Sequence, residues 1–140
     1  MQMTIPTAPR LPAPQGPYST TLRAGGFLYL AGQGALDPST GTPGASGVES
    51  ETRLTLRNIE RLLHAEGYKF EDLVQVTCYL TDMNDWPRMN EVYASVLGPD
   101  ARPTRTAIGV ASLPFGLNVE MTCVAYRDVP ADRMCASSTT

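Results

Sequence analysis

The chain has 140 residues, one domain's length, with 42% hydrophobic and 18% charged side chains and a formal net charge of -3. That acidic balance, with Lys69 as the sole lysine, gives no basic surface for nucleic acid or an anionic membrane. No apolar run approaches the roughly 20 residues a membrane helix needs.

Residues 1–17 are rich in proline and read as an extended arm, because proline and the residue before it disfavour helix. The opening "MQMTIPTAPRLPAPQ" lacks the basic-then-apolar order of a secretory signal. Two strands are predicted next, Tyr18 to Arg23 and Phe27 to Ala31, flanking "AGG", whose glycines supply a turn. "ALDPSTGTPGASG" is a loop, punctuated by Asp-Pro and Pro-Gly. A helix then begins at Glu49 or Ser50. Its apolar residues Leu56, Ile59, Leu62 and Leu63 fall at helical spacing, and Gly67 is its stop.

Leu73 to Thr81 reads as a strand rich in β-formers. "DMNDWPRMNEVYASVLG" reads as a second helix, capped by Asp85, with Pro87 in its first turn and Gly98 at its end. Strands Thr104 to Ala111 and Val119 to Tyr126 follow, joined by "SLPFGLN". Residues 128–140 are a small, polar tail read as flexible, leaving 1–127 as the domain. The order β-β-α-β-α-β-β predicts an α+β fold: a mixed sheet with both helices on one face. Several strands carry apolar residues on both alternations, so the uncovered face calls for another subunit.

The cysteines are Cys78, Cys123 and Cys135. An odd number without CxxC spacing is neither a disulfide framework nor a zinc site, and reads as reduced thiols in a cytoplasmic protein. The glycines of "AGGFLYLAGQG" do not precede a helix as a phosphate loop would, and neither HExxH nor GxSxG occurs. The single histidine, His64, reads as a surface residue of the first helix. Two charges stand out on strands: Arg105 within "RPTRTAIGV", and Glu120 between Val119 and Met121. Buried or half-buried charges need a partner. These two either pair with each other or reach solvent at a strand end. Otherwise they form a site: an arginine fork for a carboxylate beside an acid/base glutamate.

At these residues the chain resembles the RidA/YjgF family of reactive-intermediate imine deaminases. The matching segments are "GPYS" at 16–19, "AGQ" at 31–33, "LDPSTG" at 36–41, "TDMND" at 81–85, "NEVY" at 90–93, "PTRTAIGVASLP" at 103–114 and "VEM" at 119–121. They keep the family's order and spacing and span residues 12 to 127. The resemblance implies a chorismate-mutase-like fold and a homotrimer with clefts between subunits. It implies hydrolysis of 2-imino or enamine acids of the 2-aminoacrylate type to 2-keto acids and ammonia, with no cofactor and no metal.

Carried over by position, Arg105 binds the substrate carboxylate and Glu120 orients or activates water. Tyr18 lines the pocket, and Asn90 comes from around the cleft. Gly32 forms a wall where backbone approaches the ligand. Two positions depart from the family pattern. Ala31 replaces a serine or threonine, and Ala107 replaces a cysteine or serine. With Phe115 and Leu117 on the nearby turn, those departures point either to more apolar or bulkier imines or to a divergent member with weak generic activity. The alternatives are a pathway-specific deaminase of a bulkier enamine, such as a 2-aminomuconate-like or secondary-metabolite intermediate, or a non-catalytic trimer that binds carboxylate ligands or acts like a chaperone. Descriptions of this family as ribonucleases fit the sequence poorly, since the chain is acidic and His64 lies outside the motifs.

Overall fold

The computed structural model describes residues 11–129 and the backbone of residues 2–4. Six strands form one sheet: β1 (Gln2–Thr4), β2 (Thr21–Ala24), β3 (Phe27–Gly34), β4 (Leu73–Leu80), β5 (Thr104–Gly109) and β6 (Val119–Tyr126). Their spatial order is β1-β2-β3-β6-β4-β5. Every pairing is antiparallel except β4 with β5. Two helices complete the domain, α1 (Val48–Ala65) and α2 (Trp86–Leu97). The mixed sheet with two helices is therefore as expected.

The boundaries differ in instructive ways. The Pro-rich arm contributes β1 to the sheet edge, which its composition did not signal. The strand expected from Tyr18 begins only at Thr21. Tyr18 instead sits in a turn, where its amide donates to the Gly16 carbonyl at 2.9 Å. Strand β3 runs on to Gly34 past a register shift between Leu30 and Gln33. Asp85 precedes α2 but makes no cap hydrogen bond with its side chain. Its carboxylate accepts from the Arg88 guanidinium at 2.5 Å instead. Gly67 and Gly98 close the two helices with φ of 83° and 82°, a conformation that favours glycine. Residues 130–140, with Cys135, lie outside the described residues.

Alternation along the strands sorts the sheet into two faces. On one, Leu28 and Leu30 of β3, Val76, Cys78 and Leu80 of β4, and Val119, Met121, Cys123 and Ala125 of β6 are buried. They share a core with Leu56, Ile59, Leu62 and Leu63 of α1 and Met89, Tyr93 and Leu97 of α2. Full burial of each such leucine or isoleucine stabilises by about 1.5–3 kcal/mol. Burial pushes the Cys78 and Cys123 thiols up to about 11 and about 12 respectively, so both stay protonated and act as small hydrophobes. The opposite face carries Phe27, Tyr29, Ile108 and Tyr126, each 40% exposed or more. That is the uncovered apolar face the strand pattern predicted. Among the described residues, no helix is long and apolar enough to cross a membrane.

One buried carboxylate ties the helix layer to the β6 approach. Glu51 is 2% exposed. It accepts from the Asn118 amide at 2.7 Å, the Asn118 side-chain amide at 2.6 Å and the Gly47 amide at 3.2 Å. Truncation strands the Asn118 donors, and each hydrogen bond to a charged group is worth about 1.5–3 kcal/mol. Glu51→Ala is expected to cost about 2–4 kcal/mol, with Glu51→Gln recovering part of it. Denaturant titration at one fixed protein concentration measures both; equal midpoints for wild type and Glu51→Ala would rule the tie out.

Candidate active site: a cleft at the end of β3 and a stacked arginine

A cleft of about 400 Å³ opens where β3 ends, a volume suited to a small molecule. Its walls come from the proline-rich approach to β2, from the loop after β3, and from the turn before β6. Tyr18, Gly32, Phe115 and Glu120 all line it, so four of the eight expected site residues meet here. Pro12, Leu36, Pro38, Pro114 and Leu117 make much of the remaining surface apolar.

Glu120 is the charged centre of this cleft. It is half-buried, with no hydrogen-bond or ion-pair partner among the described residues. Burial alone raises its pKa, since desolvation disfavours the carboxylate. Gly32 explains how it fits. A Cβ at position 32 would lie 2.7 Å from Glu120 Oε2. The glycine therefore admits the glutamate's own carboxylate, rather than simply opening the wall to a ligand.

Around it, Tyr18 is 47% exposed and its hydroxyl oxygen accepts from the Gln15 amide at 3.0 Å, leaving its own proton free to donate. Phe115 is 51% exposed and holds φ at 63°, the only positive φ of a non-glycine among the described residues. Strain of that kind concentrates at ligand-binding turns. Sequence reading missed Thr20 and Gln33, which also line the cleft and are 1% and 7% exposed. Thr20 Oγ1 is buried without a partner among the described residues, and the Thr20 carbonyl accepts from Ala31, a residue with no polar side chain to offer. "AGQ" contained the signal for Gln33, since a polar residue in an otherwise apolar strand must find a partner.

Arg105 is elsewhere. Its register partner is Val76, which is 1% exposed in the helix-side core. Its guanidinium carbon lies 4.7 Å from the Tyr93 ring centroid and 5.6 Å from that of Trp86, both on α2. Glu120 pairs in register with Tyr79, and its neighbour Met121 is fully buried on the helix side. Alternation thus sends Arg105 to the helix face and Glu120 to the other. The Arg105–Glu120 ion pair is absent, and Arg105 has neither a hydrogen bond nor a carboxylate partner among the described residues. Ala107, opposite Cys78, packs on the core beside Arg105. Asn90 is half-buried on α2, and Ala31 adjoins the cleft without lining it. His64 is exposed on α1. Among the described residues, no three His, Cys, Asp or Glu side chains cluster as metal ligands.

The family described as Endoribonuclease L-PSP matches residues 8–127. A RutC family protein of Pyrococcus horikoshii is 44% identical over 117 residues, covering 84% of this chain and 92% of that one. A mouse protein named 2-iminobutanoate/2-iminopropanoate deaminase is 38% identical over 118 residues, covering 84% and 87%. The crystal structure of E. coli TdcF with bound serine superposes with a TM-score of 0.82 at 31% identity, covering 89% of this chain and 99% of that one. The chain thus belongs to the Endoribonuclease L-PSP family, the RidA/YjgF family that its motifs resemble.

Proposed function

We propose that this protein hydrolyses 2-imino acids and their enamine tautomers to 2-keto acids and ammonia, without a cofactor. The carrying observation is Glu120: a half-buried carboxylate with a raised pKa and no partner among the described residues, in an apolar cleft where Gly32 makes room for it. A carboxylate so placed takes a proton from water as the oxygen attacks the C=N carbon, then returns it to nitrogen. The same carboxylate takes the carbinolamine's hydroxyl proton and passes it to nitrogen, so the C–N bond breaks, the C=O forms and ammonia leaves. An imine is already electrophilic, so the step needs an oriented water more than a strong nucleophile.

Arg105 supplies the second half of the site. An unpartnered guanidinium that keeps its charge in a half-dry setting suits a substrate carboxylate. Because Arg105 and Glu120 face opposite sides of one sheet, a complete site takes them from two copies. The exposed aromatic face and the free edge of β5 support a homotrimer with its sites between subunits. The relative named for an imino-acid deaminase and the one crystallised with serine support substrates of the amino-acid type. The ribonuclease reading finds no support in an acidic chain whose His64 sits exposed on a helix.

A second reading narrows the substrate to a bulkier enamine. It is favoured by the apolar lining of the cleft, by Phe115, and by alanine at positions 31 and 107. Generating 2-aminoacrylate with a serine dehydratase and following its decay tests both. Accelerated decay is expected. Unchanged decay with small imines but acceleration of bulkier ones selects the second reading. Unchanged decay with all of them leaves a non-catalytic ligand-binding trimer.

A further inference from the structure

We propose that Trp86 and Tyr93 form an aromatic bracket that positions the Arg105 guanidinium to receive a carboxylate, an inference that rests on the clamp reading above. The two residues are seven apart on α2 (Trp86–Leu97), two helical turns, so both rings project towards β5. The Arg105 guanidinium carbon lies over both, at 5.6 Å and 4.7 Å.

The bracket's two sides differ in rigidity. Tyr93 is 8% exposed and belongs to the core cluster, so packing holds its ring in place. Burial pushes its phenol up to about 12, so the ring stays neutral and adds no charge beside the arginine. Trp86, 37% exposed at the first residue of α2, is the outer lip. Arginine stacks on aromatic faces, whereas carboxylates dock on its N–H edge. Rings that hold the cation therefore leave its donors available, and among the described residues none of those donors is taken. An acidic partner would hold the arginine as firmly but would occupy the fork. Aromatic support orients it while keeping it vacant, and so reduces the ordering cost of binding.

Carboxylate anchoring acts on ground state and transition state alike, so loss of positioning appears in KM more than in kcat. Trp86→Leu is expected to raise KM for an imino acid by about 3–10-fold with kcat within a factor of about two, and Trp86→Phe to recover most of the loss. Trp86 is also the chain's only tryptophan, so intrinsic fluorescence reports on the bracket directly. Titrating the wild-type assembly with 2-oxobutanoate is expected to give a saturable change in Trp86 emission that Arg105→Ala abolishes.

A wild-type KM in Trp86→Leu beside a raised KM in Arg105→Ala overturns the bracket and leaves the clamp standing. Equal losses in kcat and KM for Trp86→Leu, with no recovery in Trp86→Phe, overturn it too. A wild-type KM in Arg105→Ala overturns the clamp itself. The fluorescence titration needs no variant to report binding near Trp86. Its silence at concentrations where 2-oxobutanoate inhibits the enzyme counts against the bracket.

Discussion

Glu120→Gln is expected to lower kcat for imine hydrolysis by about 10²–10⁴-fold, while the protein becomes no less stable at neutral pH. Both halves follow from one carboxylate. The amide keeps the shape beside Gly32 but cannot take a proton from water. Burial raises the Glu120 pKa in the folded protein above its unfolded value. In the window between those two values the folded state binds more protons, so the contribution of this group to stability is full below the unfolded pKa and is lost as pH rises through the folded one. At neutral pH the unpaired carboxylate thus works against folding, and its removal relieves that. The proposed mechanism needs the ionised form, so the wild-type rate is expected to fall on the acid side, at a pH above the ordinary glutamate value. Glu120→Gln lacks that limb. Rate–pH profiles and thermal midpoints of the two proteins decide the matter. A Glu120→Gln enzyme of normal kcat with the same acid limb would assign the chemistry to another group. Residues that serve function at a cost to folding behave in this way, and Phe115, held at φ 63° on the rim of the same cleft, shows the same signature in its backbone.

Arg105→Ala is expected to raise KM by about 10²-fold or more, because a desolvated arginine–carboxylate pair loses several kcal/mol when one partner is truncated. Fold and assembly should survive, since Arg105 makes no hydrogen bond or ion pair among the described residues and its stem lies on the edge strand β5. The sharper form of the experiment uses two impaired chains, assayed at substrate concentrations well below the wild-type KM. Arg105 and Glu120 point to opposite faces of one sheet, so each proposed site draws them from different subunits. Co-expressed Arg105→Ala and Glu120→Gln chains in equal amounts should recover roughly a quarter of wild-type activity, because random assembly gives each site both intact residues about one time in four. Recovery absent from mixed assemblies, verified by mass, would place both residues in a single chain's site.

How far the sequence was legible depended on the range of the interactions involved. Strand β6 appears with the expected ends because its alternation is uninterrupted, and Gly67 and Gly98 stop the helices as expected because a helix end is a local backbone event. Asp85 does stand at the N-cap of α2, and its side chain makes no cap bond for a local reason as well: Arg88, one turn on, competes for the same carboxylate. That the extended N-terminal arm supplies an edge strand was not legible, for a non-local reason. Gln2–Thr4 gains strand structure only by pairing with Thr21 to Arg23, some 20 residues on. Trp86 and Tyr93 could have been linked by their seven-residue spacing, but nothing in that spacing names Arg105 as what they hold.

The sequence by itself determined five of the six strands, both helices, the mixed sheet, the bare apolar face and the family, since propensity, alternation and ordered motifs are properties of neighbouring residues. It also brought Arg105 and Glu120 forward as charges without an obvious structural use. Only the tertiary structure decided that they do not meet. Pairing β5 in parallel with β4, and β6 antiparallel to both β3 and β4, sets the register, and register sets the face on which each side chain emerges. One arginine therefore rests on two rings of α2, and one glutamate sits in the space Gly32 leaves for it.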